Sequence, residues 1–271
     1  MCDYRLILGD CVSKMKEMDA SSIDLTITSP PYDQLRSYAK DIDKTWGELI
    51  WKPCIEQIYR ITKTGGTVVW VVGDSTKNGC ESGTSFMQAL YAKEVGWNLH
   101  DTMIYRKINY VPLTHNRYEQ CFEYMFVWSK GKPKTFNPLK MPCKYAGKME
   151  KYGKERRKLL DMSQSMRVED RTYYRETGQE KILPNIWEYS VGQVKNGHPA
   201  VFPEKLVEDH ILSWSNENDT IFDPFMGSGT TGKMALLNNR NFIGVEINES
   251  YLKITEDRLN SVLISSARNP Q

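Results

Sequence analysis

Residues 219–247, DTIFDPFMGSGTTGKMALLNNRNFIGVEI, read as a strand, a glycine-rich turn, a helix and a second strand. Such a βαβ succession requires a sheet with parallel strands, because the helix carries the chain back so that the next strand runs the same way. The same alternation runs through the N-terminal half. RLIL (5–8), IDLTIT (23–28), TVVWVV (67–72), residues 102–105 and FEYMFVW (122–128) are short runs rich in β-branched and aromatic residues. Residues 12–18 and 48–61 have helical spacing, the second placing Leu49, Ile50, Cys54, Ile55, Ile58 and Ile61 near one face and ending at Gly65-Gly66. FPEKLVEDHILSWS and SYLKITEDRLNSVLI supply two further helices. The expectation is an α/β domain with a mostly parallel sheet covered on both faces.

The 271 residues, 40% of them hydrophobic, suffice for one core, or one core carrying an inserted lobe. No apolar run is longer than that of Val68 to Val72, far below the roughly 20 residues of a membrane span. Charged residues interrupt the N-terminal MCDYRLILGD, which has no secretory pattern. A cytoplasmic protein with no membrane partner is expected. Its six cysteines form no C-x-x-C pair and lie near no histidine at ligand spacing, so they read as reduced thiols, and no metal is expected.

Residues 138–183 differ in character. They lose apolar periodicity and carry twelve Lys/Arg against seven Asp/Glu, a local +5 in a chain of net +2. Tyr145, Tyr152, Tyr173 and Tyr174 are interleaved with the basic residues. This mixture suits phosphate contact combined with base or sugar packing. Its bland counterpart is a solvated loop region.

Two chemistries compete for the glycine turn. Gly227 and Gly229 allow close backbone approach to a ligand, and the following helix offers free N–H groups. Gly227-x-x-x-x-Gly232-Lys233 matches seven positions of a phosphate-binding P-loop, but Met234 stands where a magnesium-ligating Ser or Thr is needed. The alternative is an adenosine bearing a cation. Asp223 at the strand tip meets positive charge, Phe225 supplies an apolar wall, and Glu246 lies 23 residues past Asp223, where a Rossmann-like fold holds ribose hydroxyls.

TSPPY at 28–32 and DPFMGSGTT at 223–231 together resemble the S-adenosylmethionine-dependent DNA amino-methyltransferases. The catalytic tetrapeptide precedes the cofactor turn, an order similar to that family's beta group, a circular permutation with the target-recognition region between. LILGDCVSKMKEMDASSIDLTITSPPY, HPAVFPEKLVEDHI (198–211) and YRKINYVPLTHNRYEQCFEYMFVWSKGK (105–132) resemble other segments of the group. The resemblance implies a Rossmann-like methyltransferase sheet in three parts: a catalytic part (1–137), an inserted basic target-recognition region (138–183) and a cofactor-binding part of the same domain (184–271).

It also implies roles. Ser29, Pro30, Pro31 and Tyr32 form the catalytic motif. S-adenosyl-L-methionine is the expected cofactor, with Asp10, Thr28, Pro199, Phe202, Asp223, Phe225, Gly227, Gly229, Thr230, Thr231, Glu246 and Asn248 as its site. Double-stranded DNA is the expected partner, contacted through Lys107, Arg117, Arg156, Arg157 and Lys158, with Lys130, Lys132 and Lys134 as further phosphate candidates. A cognate restriction endonuclease and a homodimer are additional partners to test. In the family, Ser at the first motif position goes mostly with cytosine N4 and Asp with adenine N6, so Ser29 points to cytosine, with adenine as the alternative. The base would be flipped out and stacked on Tyr32. Cytosine C5 chemistry needs a nucleophilic Cys after Pro, and neither Pro53-Cys54 nor Pro142-Cys143 follows a strand tip beside the turn. His115, His198 and His210 read as structural or surface residues rather than acid/base groups. An ATPase and a DNA-recognition module without turnover are the readings from other classes.

Overall fold

The computed structural model describes residues 2–31, 47–110, 116–160, 166–191 and 202–268. In chain order its elements are β1 (Tyr4–Leu8), α1 (Cys11–Lys16), β2 (Ile23–Thr28), α2 (Glu48–Ile61), β3 (Thr62–Val72), β4 (Thr76–Lys77), β5 (Cys80–Glu81), α3 (Thr84–Val95), β6 (Asn98–Lys107), β7 (Phe122–Ser129), β8 (Lys140–Pro142), β9 (Met149–Leu160), β10 (Met166–Glu176), β11 (Glu180–Ile182), β12 (Ile186–Tyr189), α4 (Glu204–Trp214), β13 (Thr220–Asp223), α5 (Thr230–Leu237), β14 (Asn241–Glu246) and α6 (Glu249–Arg268). They divide into two compact units, Met1–Asn137 with Asn185–Gln271, and Pro138–Pro184.

The first unit is built on an eight-stranded sheet in the order β1-β14-β13-β2-β3-β7-β6-β12. Only β7 runs against its neighbours, pairing antiparallel with β3 and β6. Helices cover both faces, as alternation along the strands requires. Val68, Trp70 and Val72 of β3 and Phe126 and Trp128 of β7 join Trp51, Ile55 and Ile58 of α2 and Ala89 and Ala92 of α3 in one buried cluster. The alternate residues Val69, Val71, Met125 and Val127 are equally buried, towards the opposite layer. Trp70 and Trp128 stack with ring centroids 5.3 Å apart, and the Trp70 indole N–H donates to Gln88 Oε1 at 2.8 Å.

Three features depart from the sequence expectation. Gly65-Gly66 lies inside β3, which begins directly after α2. The helix is instead finished by Lys130, whose Nζ donates to the carbonyls of Tyr59 and Thr62 at 2.7 and 2.8 Å, so this lysine satisfies open helix carbonyls rather than DNA phosphates. The glycine pair serves close packing: a Cβ on Gly66 would lie 2.8 Å from the Asp24 carbonyl, and Gly65 has φ +82°. Helix α3 is the second departure, bounded by Gly83 and Gly96, both left-handed. It leaves Phe86, Met87 and Leu90 exposed, so its apolar residues do not mark one face.

The third is the second unit, where the sequence lacks apolar periodicity. It contains two antiparallel pairs, β8 with β11 and a long hairpin of β9 with β10. The hairpin register sets Arg156 opposite Asp170, Arg157 opposite Glu169, Glu155 opposite Arg171 and Glu150 opposite Arg175. Residues of opposite charge thus occupy cross-strand register positions where apolar alternation is absent.

Helix α5 lies so close to β14 that a Cβ on Gly232 would sit 2.6 Å from the Phe242 ring. Gly232→Ala is expected to lower stability by about 1–3 kcal/mol through overpacking. Urea denaturation should give a lower midpoint with an unchanged slope.

Candidate active site

Parallel strands bring their carboxyl ends to one edge, where the chain turns into loops and helix starts. Because β13 lies between β14 and β2, the glycine turn after Asp223 and the SPP segment after Thr28 emerge from adjacent strands. Ser29, buried Pro30 and half-buried Pro31 continue directly from β2. Proline donates no N–H and fixes φ, so the strand ladder stops there and the backbone stiffens. Tyr32 and Pro199 lie outside the described residues.

Asp223 joins the two segments. Its Oδ1 accepts from Thr28 Oγ1 at 2.7 Å and from the Phe225 N–H at 3.0 Å, and its Oδ2 accepts from Thr231 Oγ1 at 2.7 Å. The carboxyl is buried, and that burial pushes it up to about 6; the bonds from Thr231, Thr28 and Phe225 oppose the rise and the Glu246 charge adds to it. At neutral pH it is therefore a desolvated anion at the strand tip, suited to a cationic ligand and repellent to pyrophosphate. The hydroxyls of Thr28 and Thr231 both point inward to this carboxylate, which makes them braces between catalytic and cofactor segments.

Glu246 closes the next strand. Its Oε2 accepts from the Gly227 N–H and its Oε1 from the Asn248 N–H, both at 2.9 Å, while burial raises its pKa against those bonds. Two backbone donors fix both carboxylate oxygens and leave each further acceptor capacity, the arrangement a vicinal diol needs. Asn248 also accepts from the Ser250 N–H at 2.9 Å, capping α6. Asp10 caps α1, accepting from Ser13 N–H at 3.0 Å, and the Gly9 N–H donates to the Glu246 carbonyl at 2.9 Å, which draws the two strand ends together. Phe225 is half-buried against the core, and Phe202 is half-buried just before α4.

The turn itself explains why the phosphate reading fails. Lys233 Nζ donates to Glu204 Oε1 at 2.7 Å, and Met234 is buried. The lysine that would reach a phosphate is held by a carboxylate of α4. Gly227 and Gly229 have φ +51° and +76°, where glycine is favoured. A Cβ on Gly229 would also collide with Thr255 of α6, so this glycine admits a helix as well as shaping the turn.

The remaining candidates are spread more widely. Lys107 pairs with Glu123 at 2.7 Å across β6 and β7. Arg117 donates to the Gly79 carbonyl and lies 3.6 Å from Glu81. Arg156, Arg157 and Lys158 belong to β9 in the separate second unit. His210 is fully buried, with Nε2 3.2 Å from Met125 Sδ; burial brings it down to about 3, which keeps it neutral. His115 and His198 lie outside the described residues. Cys54 is buried in the core, where burial and then its hydrogen bond with Cys11 hold the thiol well above its ordinary range, excluding a nucleophilic role. Sequence reasoning missed Glu204, Thr255 and Arg258, although Glu204 lies in HPAVFPEKLVEDHI and the other two in the helical stretch SYLKITEDRLNSVLI. Among the described residues no helix is long and apolar enough to cross a membrane.

The chain is similar to known proteins in sequence and in fold. A family model described as DNA methylase matches residues 23–257. The orphan methyltransferase M.BamHII of Bacillus amyloliquefaciens is 48% identical over 270 residues, covering 96% of this chain and 94% of that protein. Among solved structures, the cytosine-N4-specific PvuII DNA methyltransferase superposes with a TM-score of 0.68 at 19% identity, covering 99% of this chain and 93% of the other. The M1.HpyAVI–SAM complex superposes with a TM-score of 0.61 at 22% identity, covering 95% of this chain and 100% of the other.

The buried Asp223 makes a testable demand on stability. Its folded pKa is raised above the unfolded 3.8 to about 6, so the folded state holds the proton more tightly. This contribution is full below about pH 4 and is lost as pH rises to about 6, on the order of 3 kcal/mol across the window. Denaturation at a series of pH values should show this loss in the parent protein and its absence in Asp223→Asn.

Proposed function

The chain belongs to the DNA methylase family that acts on exocyclic amines, and on that premise we propose that it methylates cytosine N4 in double-stranded DNA. The observation that carries the reading is the joining of TSPP to the glycine turn through Asp223, with Ser29 as the first residue of the motif. S-adenosyl-L-methionine is the methyl donor of the family, and the residues present fit it. Glu246 offers fixed acceptors for its ribose, Phe225 an apolar wall, and Asp223 negative charge near its cationic end. When bound, it supplies an electrophilic methyl group on positively charged sulfur.

The chain's own task is to present the nucleophile. An exocyclic amine is a poor one because its lone pair is delocalised into the ring. Ser29 Oγ and the Pro30 carbonyl hold the two amine N–H groups, bringing the lone pair out of conjugation. With its lone pair so presented, the amine nitrogen would accept the methyl group that the donor supplies, and the surplus amine proton would pass to solvent. No covalent enzyme intermediate is formed, and catalysis rests on positioning and electrostatics. The target base is flipped from the stack to reach this edge, with Tyr32 as its stacking partner.

The β9–β10 ribbon is the proposed DNA-reading element, since a two-stranded ribbon fits the major groove. Arg156, Arg157 and Lys158 are its proposed phosphate contacts. Lys107 and Arg117, which pair with Glu123 and Glu81, are further proposed DNA contacts. The designation of M.BamHII as an orphan favours a solitary enzyme over the modification half of a restriction pair.

Labelled S-adenosyl-L-methionine and mixed-sequence DNA, digested to nucleosides after reaction, test the reading directly. N4-methylcytosine is expected; N6-methyladenine would reassign the base, and absence of any methylated nucleoside would overturn the proposal. Ser29→Ala should lower kcat by at least about 100-fold while leaving cofactor affinity unchanged. Replacing Arg156, Arg157 and Lys158 with Ala should weaken DNA binding and reduce the salt slope by up to about 3.

A further inference from the structure

The glycine turn is held from behind by the C-terminal helix. Thr255 Oγ1 donates to the Gly227 carbonyl at 2.9 Å. One turn further along α6, Arg258 Nη1 donates to the Ser228 carbonyl at 2.9 Å and to Thr230 Oγ1 at 3.3 Å. Its Nη2 donates to Glu204 Oε1 at 2.6 Å, the oxygen that also receives Lys233. Two consecutive turn carbonyls are thereby drawn towards α6. Carbonyls fixed on one side of a tight turn orient the peptide planes that follow Gly227 and Ser228, and these adjoin the Met226–Gly227 plane, whose N–H meets Glu246 and whose carbonyl accepts from the Gly229 N–H. Glu204, the first residue of α4, links this brace to the segment carrying Phe202, so the brace reaches both walls of the cofactor site.

We propose that Arg258 is a positioning residue for methyl-donor binding: through Ser228, Thr230 and Glu204 it locks the glycine turn and the start of α4 in their binding geometry without itself touching the donor. The inference rests on the methyl-donor reading of the turn. A planar guanidinium suits the role, because its fork reaches a carbonyl, a hydroxyl and a carboxylate from one rigid group, which an ammonium cannot do. Lys233 belongs to the same device: it balances Glu204, whose charge burial opposes and whose carboxyl Lys233 and Arg258 hold below the usual range.

The test compares Arg258→Met and Arg258→Lys with the parent enzyme. Loss of a charge-assisted brace should raise the KM for S-adenosyl-L-methionine about 10-fold in Arg258→Met, with kcat at saturating donor within about threefold and DNA affinity unchanged. Arg258→Lys should fall between. Amide hydrogen exchange without cofactor should quicken across residues 225–231 and stay unchanged in β2 and β3. Unchanged donor affinity together with unchanged exchange would overturn the proposal, as would a fall in kcat at constant KM. Should Arg258→Met fail to fold, Thr255→Val removes a single hydroxyl from the same brace and is held to the same directions. Failure of the parent enzyme to bind the donor would strike the functional reading, while the exchange comparison would still decide the brace.

Discussion

One buried carboxylate, that of Asp223, ties together segments 195 residues apart in the chain. It accepts from a hydroxyl of β2, a hydroxyl of α5 and the backbone of the intervening turn, so three pieces of the edge share one anchor. Burying an anion is costly, and the raised pKa records that cost. The fold tolerates it because every hydrogen bond runs towards the charge. Movement of the turn would disturb the residue next to Ser29, and movement of Ser29 would disturb the turn. The SPP segment and the glycine turn are thus tied to each other at the meeting of β13 and β2.

Glycines in the turn and the adjoining helix have more than one physical reason to be there. Ligand approach is the usual explanation, yet Gly229 faces Thr255 and Gly232 faces Phe242. Both allow helices to pack tightly around the turn. Of the P-loop-like positions, Gly232 is thus accounted for by helix packing alone. The two chemistries part at the charges: an acid at the strand tip, and a lysine committed to Glu204.

Much of this architecture was legible in the residues. β2 and α2 fall where periodicity placed them, although Leu49, expected on the apolar face of α2, is 94% exposed. Gly65-Gly66 misled, since glycine marks both helix ends and close strand packing, and only the neighbouring chain distinguishes them. Helix α3 escaped because its exposed Phe86, Met87 and Leu90 blur any apolar face. The β9–β10 hairpin was hidden for another reason: its complementary charges become a pattern only once register is known. At the site, Asp223, Glu246 and the SPP segment were readable from motif and spacing. Arg258 and Thr255 were not, because a brace acting on backbone carbonyls leaves no local signature.

The sheet order also bears on how the chain acquires its structure. Among the described residues β1, formed from residues 4–8, has a single sheet neighbour, β14, formed from residues 241–246. β2 likewise waits for β13 on one side. Closing such distant pairs delays their reward until most of the chain exists, which slows folding and lengthens exposure of intermediates. During that interval β2, carrying Leu25 and Ile27, offers an unpaired apolar edge of the kind that recruits other chains. Because β13 and β14 come late in the sequence, β1 and β2, the first strands made, wait for these partners until the C-terminal part of the chain is available.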